Sequence, residues 1–201
     1  MHQPRYFFTP IFIFSLILFC SAFISAQQVE PSHDVSLQLV IGSDDASQRG
    51  DLPSEISNVT KQLRSSFKFS NYRLASTFLG RISNTGNFEY KSVTNIFGQE
   101  QSGAAQSFLE WSVINMKSMP TAKSLPGLQT QAFRFGARVP VLVSTPKDDS
   151  GKSFPVYNYE QIGLTLSKVG LSENVPTLIG TLNLPGTSGT IFLIMTVRSA
   201  D

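Results

Sequence analysis

Cysteine and histidine are nearly missing from these 201 residues, which hold one Cys and two His. That scarcity excludes a Cys/His zinc site, an iron–sulfur cluster and an internal disulfide framework, each of which needs more ligands or thiols than the chain supplies. Charge is also sparse, 15% of residues, and nearly balanced at 16 Lys plus Arg against 14 Asp plus Glu. A net charge of +2 lacks the cationic surplus that sequence-independent phosphate binding requires, so nucleic acid is not an expected partner. Apolar residues, by contrast, make up 41% of the chain. That is enough for one ordinary core and too much for a disordered tail.

The longest apolar run stands at the start. Met1–Tyr6 carries one basic residue, Arg5; Ile11–Cys20 is free of charge, and small residues follow at Ser21, Ala22, Ser25 and Ala26. This is the three-part layout of a secretory signal peptide, with cleavage expected after Ala26. The expectation is therefore a signal segment over 1–26 and a single domain over 27–201. The protein would be exported, to the periplasm, to the envelope or outside the cell. Phe7–Ile24, if retained, is only just long enough to cross a bilayer, and membrane contact is expected only in that case. Phe19, bulky and directly before Cys20, disfavours a lipid-modified cysteine there. Cleavage removes Cys20 and His2, leaving His33 as the last histidine and a fold that relies on its core rather than on disulfides.

Alternation of apolar residues at Val35, Leu37, Leu39 and Ile41 predicts a half-buried strand. Between Asp51 and Phe67, the residues Ile56, Val59, Leu63 and Phe67 recur at helical spacing, with Asp51 or Ser54 available to cap and Pro53 suited to a first turn. Strands are then predicted over 72–82 and 87–93, joined as a hairpin by Ser83-Asn-Thr-Gly86, and over 107–114, 129–135, 139–143 and 156–166. Segments 99–106 and 117–126 read as loops. A closing hairpin over 177–182 and 190–197 ends in a strand that is apolar on both faces and so is expected to be central and covered. The expected fold class is α+β: a single domain, mostly antiparallel curved sheet, with one N-terminal amphipathic helix packed on it.

Motifs for chemistry are sparse. Gly151-Lys152-Ser153 lacks the glycine and the strand-loop-helix setting of a phosphate loop, and Asp148–Lys152 reads as a polar hairpin tip. These aspartates lack the further oxygen ligands of a calcium loop. Gly186-Thr-Ser-Gly189 is not a nucleophile elbow, and His33 lies close to the expected mature N-terminus, a poor place for a triad histidine. Glu89, Glu110 and Glu160 each lie in a predicted strand and form the only candidate carboxylate pairing for a hydrolase. Their alternation with apolar neighbours favours outward-facing charge paired with Lys91, Arg134 or Arg138. No catalytic residue, metal ligand or cofactor is therefore expected. Asn58-Val-Thr60 is a glycosylation sequon placed in the predicted helix.

Aromatics remain. Tyr157 and Tyr159 share one strand face, as do Phe133 and Phe135, while Arg134 and Arg138 fall on the side opposite the Phe pair. Arg134, Arg138, Tyr157 and Tyr159 are the candidate partner surface, since Tyr combines apolar area with a hydroxyl.

Phe135-Gly-Ala-Arg-Val-Pro-Val-Leu142, a polar loop, and Tyr157-Asn-Tyr-Glu-Gln-Ile-Gly-Leu-Thr-Leu166 together resemble a stretch of the secretins, the ring-forming outer-membrane channels of bacterial secretion and pilus systems. The likeness spans 133–166 and rests on Gly136, Val139, Pro140, Gly163 and Leu166, all structural positions. It implies an envelope location and an oligomeric β-structure. After Leu166 the sequence departs from the family pattern, and segments matching the family's gate and membrane lip are absent. The overall layout is similar to small exported bacterial proteins of unknown function. The expected function is that of a non-catalytic, envelope-associated protein acting through binding or assembly, by self-association or with an envelope partner, as an accessory with a secretin-like β unit. The alternatives are a monomeric module that binds peptide or glycan and, behind it, a carboxylate-dependent hydrolase.

Overall fold

β8 (Thr190–Ala200) contains the most apolar run outside the N-terminal segment, and Thr190–Val197 are all buried. A strand buried on both faces needs cover on both, and the computed structural model of the chain supplies it. The structure describes residues 31–45, 50–97, 105–119, 127–185 and 189–200. The expected signal segment and the Gly186–Ser188 turn lie outside these residues, as do most of the loops expected over 99–106 and 117–126. Pro31–Asp201 form one compact unit.

The strands are β1 (Ser32–Ser43), β2 (Asn71–Ser83), β3 (Asn87–Thr94), β4 (Ser107–Met119), β5 (Gly127–Ser144), β6 (Val156–Ser172), β7 (Thr177–Asn183) and β8. They form two four-stranded antiparallel sheets, in the orders β2-β1-β8-β7 and β3-β4-β5-β6. Leu37, Leu39, Ile191 and Leu193 of the first sheet and Leu109, Trp111, Phe133 and Phe135 of the second meet in a shared core. On the other face of the first sheet lies α1 (Ser57–Ser66), preceded by a 3-10 turn at Ser54–Ile56. Ile56, Val59 and Leu63 pack there on Val40, Phe192 and Ile194. The Tyr72 hydroxyl donates toward the carbonyls of Phe67 at 2.7 Å and Leu63 at 3.3 Å, which closes the helix end. Burial raises the Tyr72 pKa.

The expected class is corrected by this architecture. The fold is mostly β with two sheets rather than α+β with one, and the helix is a short element between β1 and β2, not an N-terminal one. Neither Asp51 nor Ser54 caps it through a side chain; Pro53 precedes the 3-10 turn. The expected hairpin of 72–82 with 87–93 is corrected too, because β2 pairs with β1 and β3 with β4. Its Ser83–Gly86 turn is a corner between sheets, tied to both. Asn84 N donates to Pro31 O at 2.8 Å, and Thr85 N donates to Met116 O at 2.9 Å. The strands expected over 129–135 and 139–143 are one strand, β5, and Pro140 is tolerated in it because β4 pairs no further than Arg138, leaving β5 an edge.

A transverse line of irregularity crosses the second sheet. Asn115 in β4 and Lys168 in β6 adopt left-handed backbone, with φ of 49° and 55°, and both lie level with Gln131 of β5 in the pairing. The Asn115 amide donates to Gln131 Oε1 at 2.5 Å. Inward-facing positions change parity there: Trp111 and Val113 then Met116 in β4, Phe135 and Phe133 then Thr130 and Leu128 in β5. Register is kept because the strands change together.

The β6–β7 turn is fastened to β8 by Glu173, whose carboxylate accepts from Ser199 N at 2.8 Å, and by Asn174 N donating to Val197 O at 2.8 Å. Hydrogen bonds from Ser199, and to a smaller extent the nearby His33, hold the Glu173 carboxyl below its ordinary value of 4.5. A lowered folded pKa gives stability that is present above pH 4.5 and lost as pH falls through the folded value. Glu173→Gln is expected to lower the unfolding midpoint at neutral pH and to flatten the loss below pH 4.5, read from thermal melts across pH. At Lys168, the left-handed backbone disfavours any side chain with a Cβ. Lys168→Gly is expected to be neutral or stabilising by up to about 1 kcal/mol, and Lys168→Val to cost about 1 kcal/mol or more, in denaturant titrations.

Candidate functional site on the outer face of the second sheet

Strand pairing brings the candidate residues together. Phe133, Phe135, Ala137 and Val139 of β5 point into the core, so Arg134, Gly136, Arg138, Pro140 and Leu142 point outward. Across the ladder, Arg134 is opposite Thr165, Gly136 opposite Gly163, Arg138 opposite Gln161, Pro140 opposite Tyr159 and Leu142 opposite Tyr157. Arg134, Arg138, Tyr157 and Tyr159 therefore share one face. On β4 and β3, the same rows continue through Ser112 and Glu89, Glu110 and Lys91, Phe108 and Val93.

The charges of this face are partly matched. Lys91 Nζ lies 2.9 Å from Glu89 and 4.0 Å from Glu110, and hydrogen bonding to Glu89 holds its pKa above the ordinary value. Arg134 and Arg138, expected as alternative partners for these carboxylates, form no ion pair among the described residues. Glu160 pairs with Val139, which puts it in the inward-facing set of positions, on the other side of the sheet from Glu89 and Glu110.

Gly136 and Gly163 leave the middle of the face without side chains on two adjacent strands. Glu110 lies over Gly136, its Cγ and Oε1 3.4 Å from where a Cβ would stand. Shallow depressions flank it, of about 590 Å³ by Val93, Phe108 and Arg138 and about 570 Å³ by Arg134, Gly163 and Thr165.

Beyond Arg138, β5 pairs only with β6, and the two strands run on as an arm. Its tip is the predicted polar turn. Asp148 Oδ1 accepts from Ser150 Oγ at 2.6 Å, Lys152 N at 2.9 Å and Ser150 N at 3.0 Å, bonds that hold its pKa below the usual carboxylate range. Leu142, Val143, Phe154 and Val156 on this arm are exposed, and the Tyr159 and Phe108 rings are 6.1 Å apart at its base. Sequence reasoning missed this apolar arm, although β-branched and aromatic residues on both sides of a polar turn were its signal.

Elsewhere, His33 is buried in β1 and neither ring nitrogen has a hydrogen-bond partner. Among the described residues, no three His, Cys, Asp or Glu side chains are grouped to hold a metal ion. No helix there is long and apolar enough to cross a membrane.

No protein-family model matches the chain. No curated protein matches it. Among solved structures, it resembles a fragment of the Salmonella SPI-1 type III secretion injectisome secretin InvG in its open-gate state. The TM-score is 0.33 and the identity 11%, over 96% of this chain and 66% of that one. The likeness is weak by both measures, and the chain spans slightly under two thirds of that fragment.

The glycine pair sets the local geometry. A Cβ on Gly163 would stand 2.7 Å from the Phe135 carbonyl oxygen, a backbone atom that cannot give way without moving β5. Gly163→Ala is expected to cost about 1–3 kcal/mol in denaturant unfolding, whereas Gly136→Ala, whose Cβ meets only the exposed Glu110 side chain, is expected to cost less.

Proposed function

We propose that the protein is an exported, envelope-associated, non-catalytic component that acts through binding or assembly, with the β5–β6 arm and the adjoining outer face as its contact surface. One observation carries this reading. Of the ten large apolar side chains exposed among the described residues, seven gather here. Val93, Phe108 and Tyr159 are at the base, and Leu142, Val143, Phe154 and Val156 are on the arm. Exposed apolar side chains concentrated on one projecting hairpin and its base in this way mark an interaction site. The secretin-like unit of the proposal is this same hairpin, since Gly136 faces Gly163 and Val139 is buried at the base of the arm.

The non-catalytic reading rests on the carboxylates. Glu89 and Glu110 are exposed and share Lys91 as their ion-pair partner, the arrangement of surface charge rather than of two carboxylates facing each other across a cleft. Export rests on the layout of 1–26. A second reading, a monomeric module for peptide or glycan, is favoured by Tyr157 and Tyr159 lying on one face with Arg134 and Arg138.

Native mass settles between them, measured on protein extracted from its own envelope in mild detergent. Assembly predicts a multi-subunit species or a stable heteromer. A lone chain overturns it and favours the monomeric module. Leu142→Asp combined with Phe154→Asp is expected to shift the assembled species toward the lone chain without moving the unfolding midpoint, because neither side chain is part of the core.

A further inference from the structure

The two sheets leave four edge strands, and they differ in how they are guarded. β2 carries Arg73 and Arg81 and an extra residue at Ala75 that interrupts its pairing. β3 is eight residues long with Glu89 and Lys91, and β7 is seven residues long with an extra residue at Ile179. Short length, charge and bulges are the usual means of keeping an edge from pairing. β6 has little of this over Tyr157–Ser167: Glu160 is its one charge, it has no proline, and the irregularity near its start is an extra residue on β5 at Val143. Its ladder partner among the described residues is β5 alone, and Tyr159, Gln161, Gly163 and Thr165 are exposed.

We propose that this edge pairs with the same edge of a second copy, antiparallel across a two-fold axis at Gln161. The inference rests on the assembly reading above and names its partner. A two-fold at Gln161 places Tyr159 of each copy opposite Gly163 of the other and Tyr157 opposite Thr165. The complementarity is specific: each tyrosine meets a position with no side chain or a small one. Tyr159 thereby covers the bare backbone at Gly163, beside the Glu110 side chain that lies over Gly136, and Tyr157 comes beside the row that holds Arg134, a cation without an ion-pair partner in its own chain among the described residues. An isologous contact of this type joins the two second sheets into one of eight strands and closes after two copies.

Cross-linking tests the register directly. The full chain carries Cys20→Ser, so that each introduced thiol is the only one. A residue on the two-fold faces itself across the new ladder at about 4.5–5.5 Å between Cα atoms, within disulfide reach. Gln161→Cys is therefore expected to form a covalent dimer under mild oxidation, and Leu79→Cys, an exposed position on the first sheet, is not. A mixture of Tyr157→Cys and Thr165→Cys chains is expected to cross-link more than either alone. In sedimentation, the unmodified chain is expected to show a dimer that dissociates on dilution, and Gln161→Lys to weaken it about tenfold or more by setting two ammonium groups face to face. A chain that stays monomeric at every concentration overturns the two-fold, as does an assembly of another size in which Gln161→Cys fails to cross-link. That second result leaves the assembly reading standing, as does a monomeric chain that still extracts from the envelope with a second protein.

Discussion

Burial on both faces where β1 and β8 meet the helix, at the centre of the first sheet, is the constraint on which the rest of the structure depends. β1 and β8 each supply two sets of apolar side chains. Leu37, Leu39, Ile191 and Leu193 face the second sheet, while Val40, Phe192 and Ile194 face the helix. At about 1.5–3 kcal/mol for each fully buried aliphatic side chain, neither cover is dispensable. The small helix owes its place to this demand, since its own apolar stripe is short and it lacks a side-chain cap.

The second sheet carries the opposite arrangement. One face is core and the other is open, so its outward residues are free to serve contact rather than stability. The Gly136 and Gly163 pair, the Glu89, Lys91 and Glu110 cluster and the apolar arm all lie on or beyond that open face. A division between a doubly covered sheet and a singly covered one separates the part of the protein that holds the fold from the part that can meet a partner.

Much of this was legible in the sequence, strand by strand. Alternation at Val35–Ile41 located β1, the two-faced run at Thr190–Val197 marked a central strand, and the Phe133/Phe135 against Arg134/Arg138 alternation assigned the faces of β5 correctly. What alternation does not encode is which strands share a sheet. Tyr72–Ile82 and Asn87–Val93 flank a good turn sequence, yet the turn's own amides bond to Pro31 and Met116, and the strands part. Helical spacing at Ile56, Val59 and Leu63 located α1, but a three-turn pattern could not reveal how little of the fold is helical. The left-handed residues Asn115 and Lys168 gave no local warning, because the parity change they produce is visible only when three strands are aligned.

β1 and β8 stand side by side in the middle of the first sheet, yet β1 begins the described chain and β8 ends it. The sheet therefore lacks one of its two central strands until β8 is made, and its closure requires a loop that encloses every strand between β1 and β8. Contacts so distant in sequence make for slow folding. A chain still emerging from synthesis has β2 to pair with one side of β1, but Leu37 and Leu39 lack their neighbours Met195 and Leu193 on the other side until β8 is made.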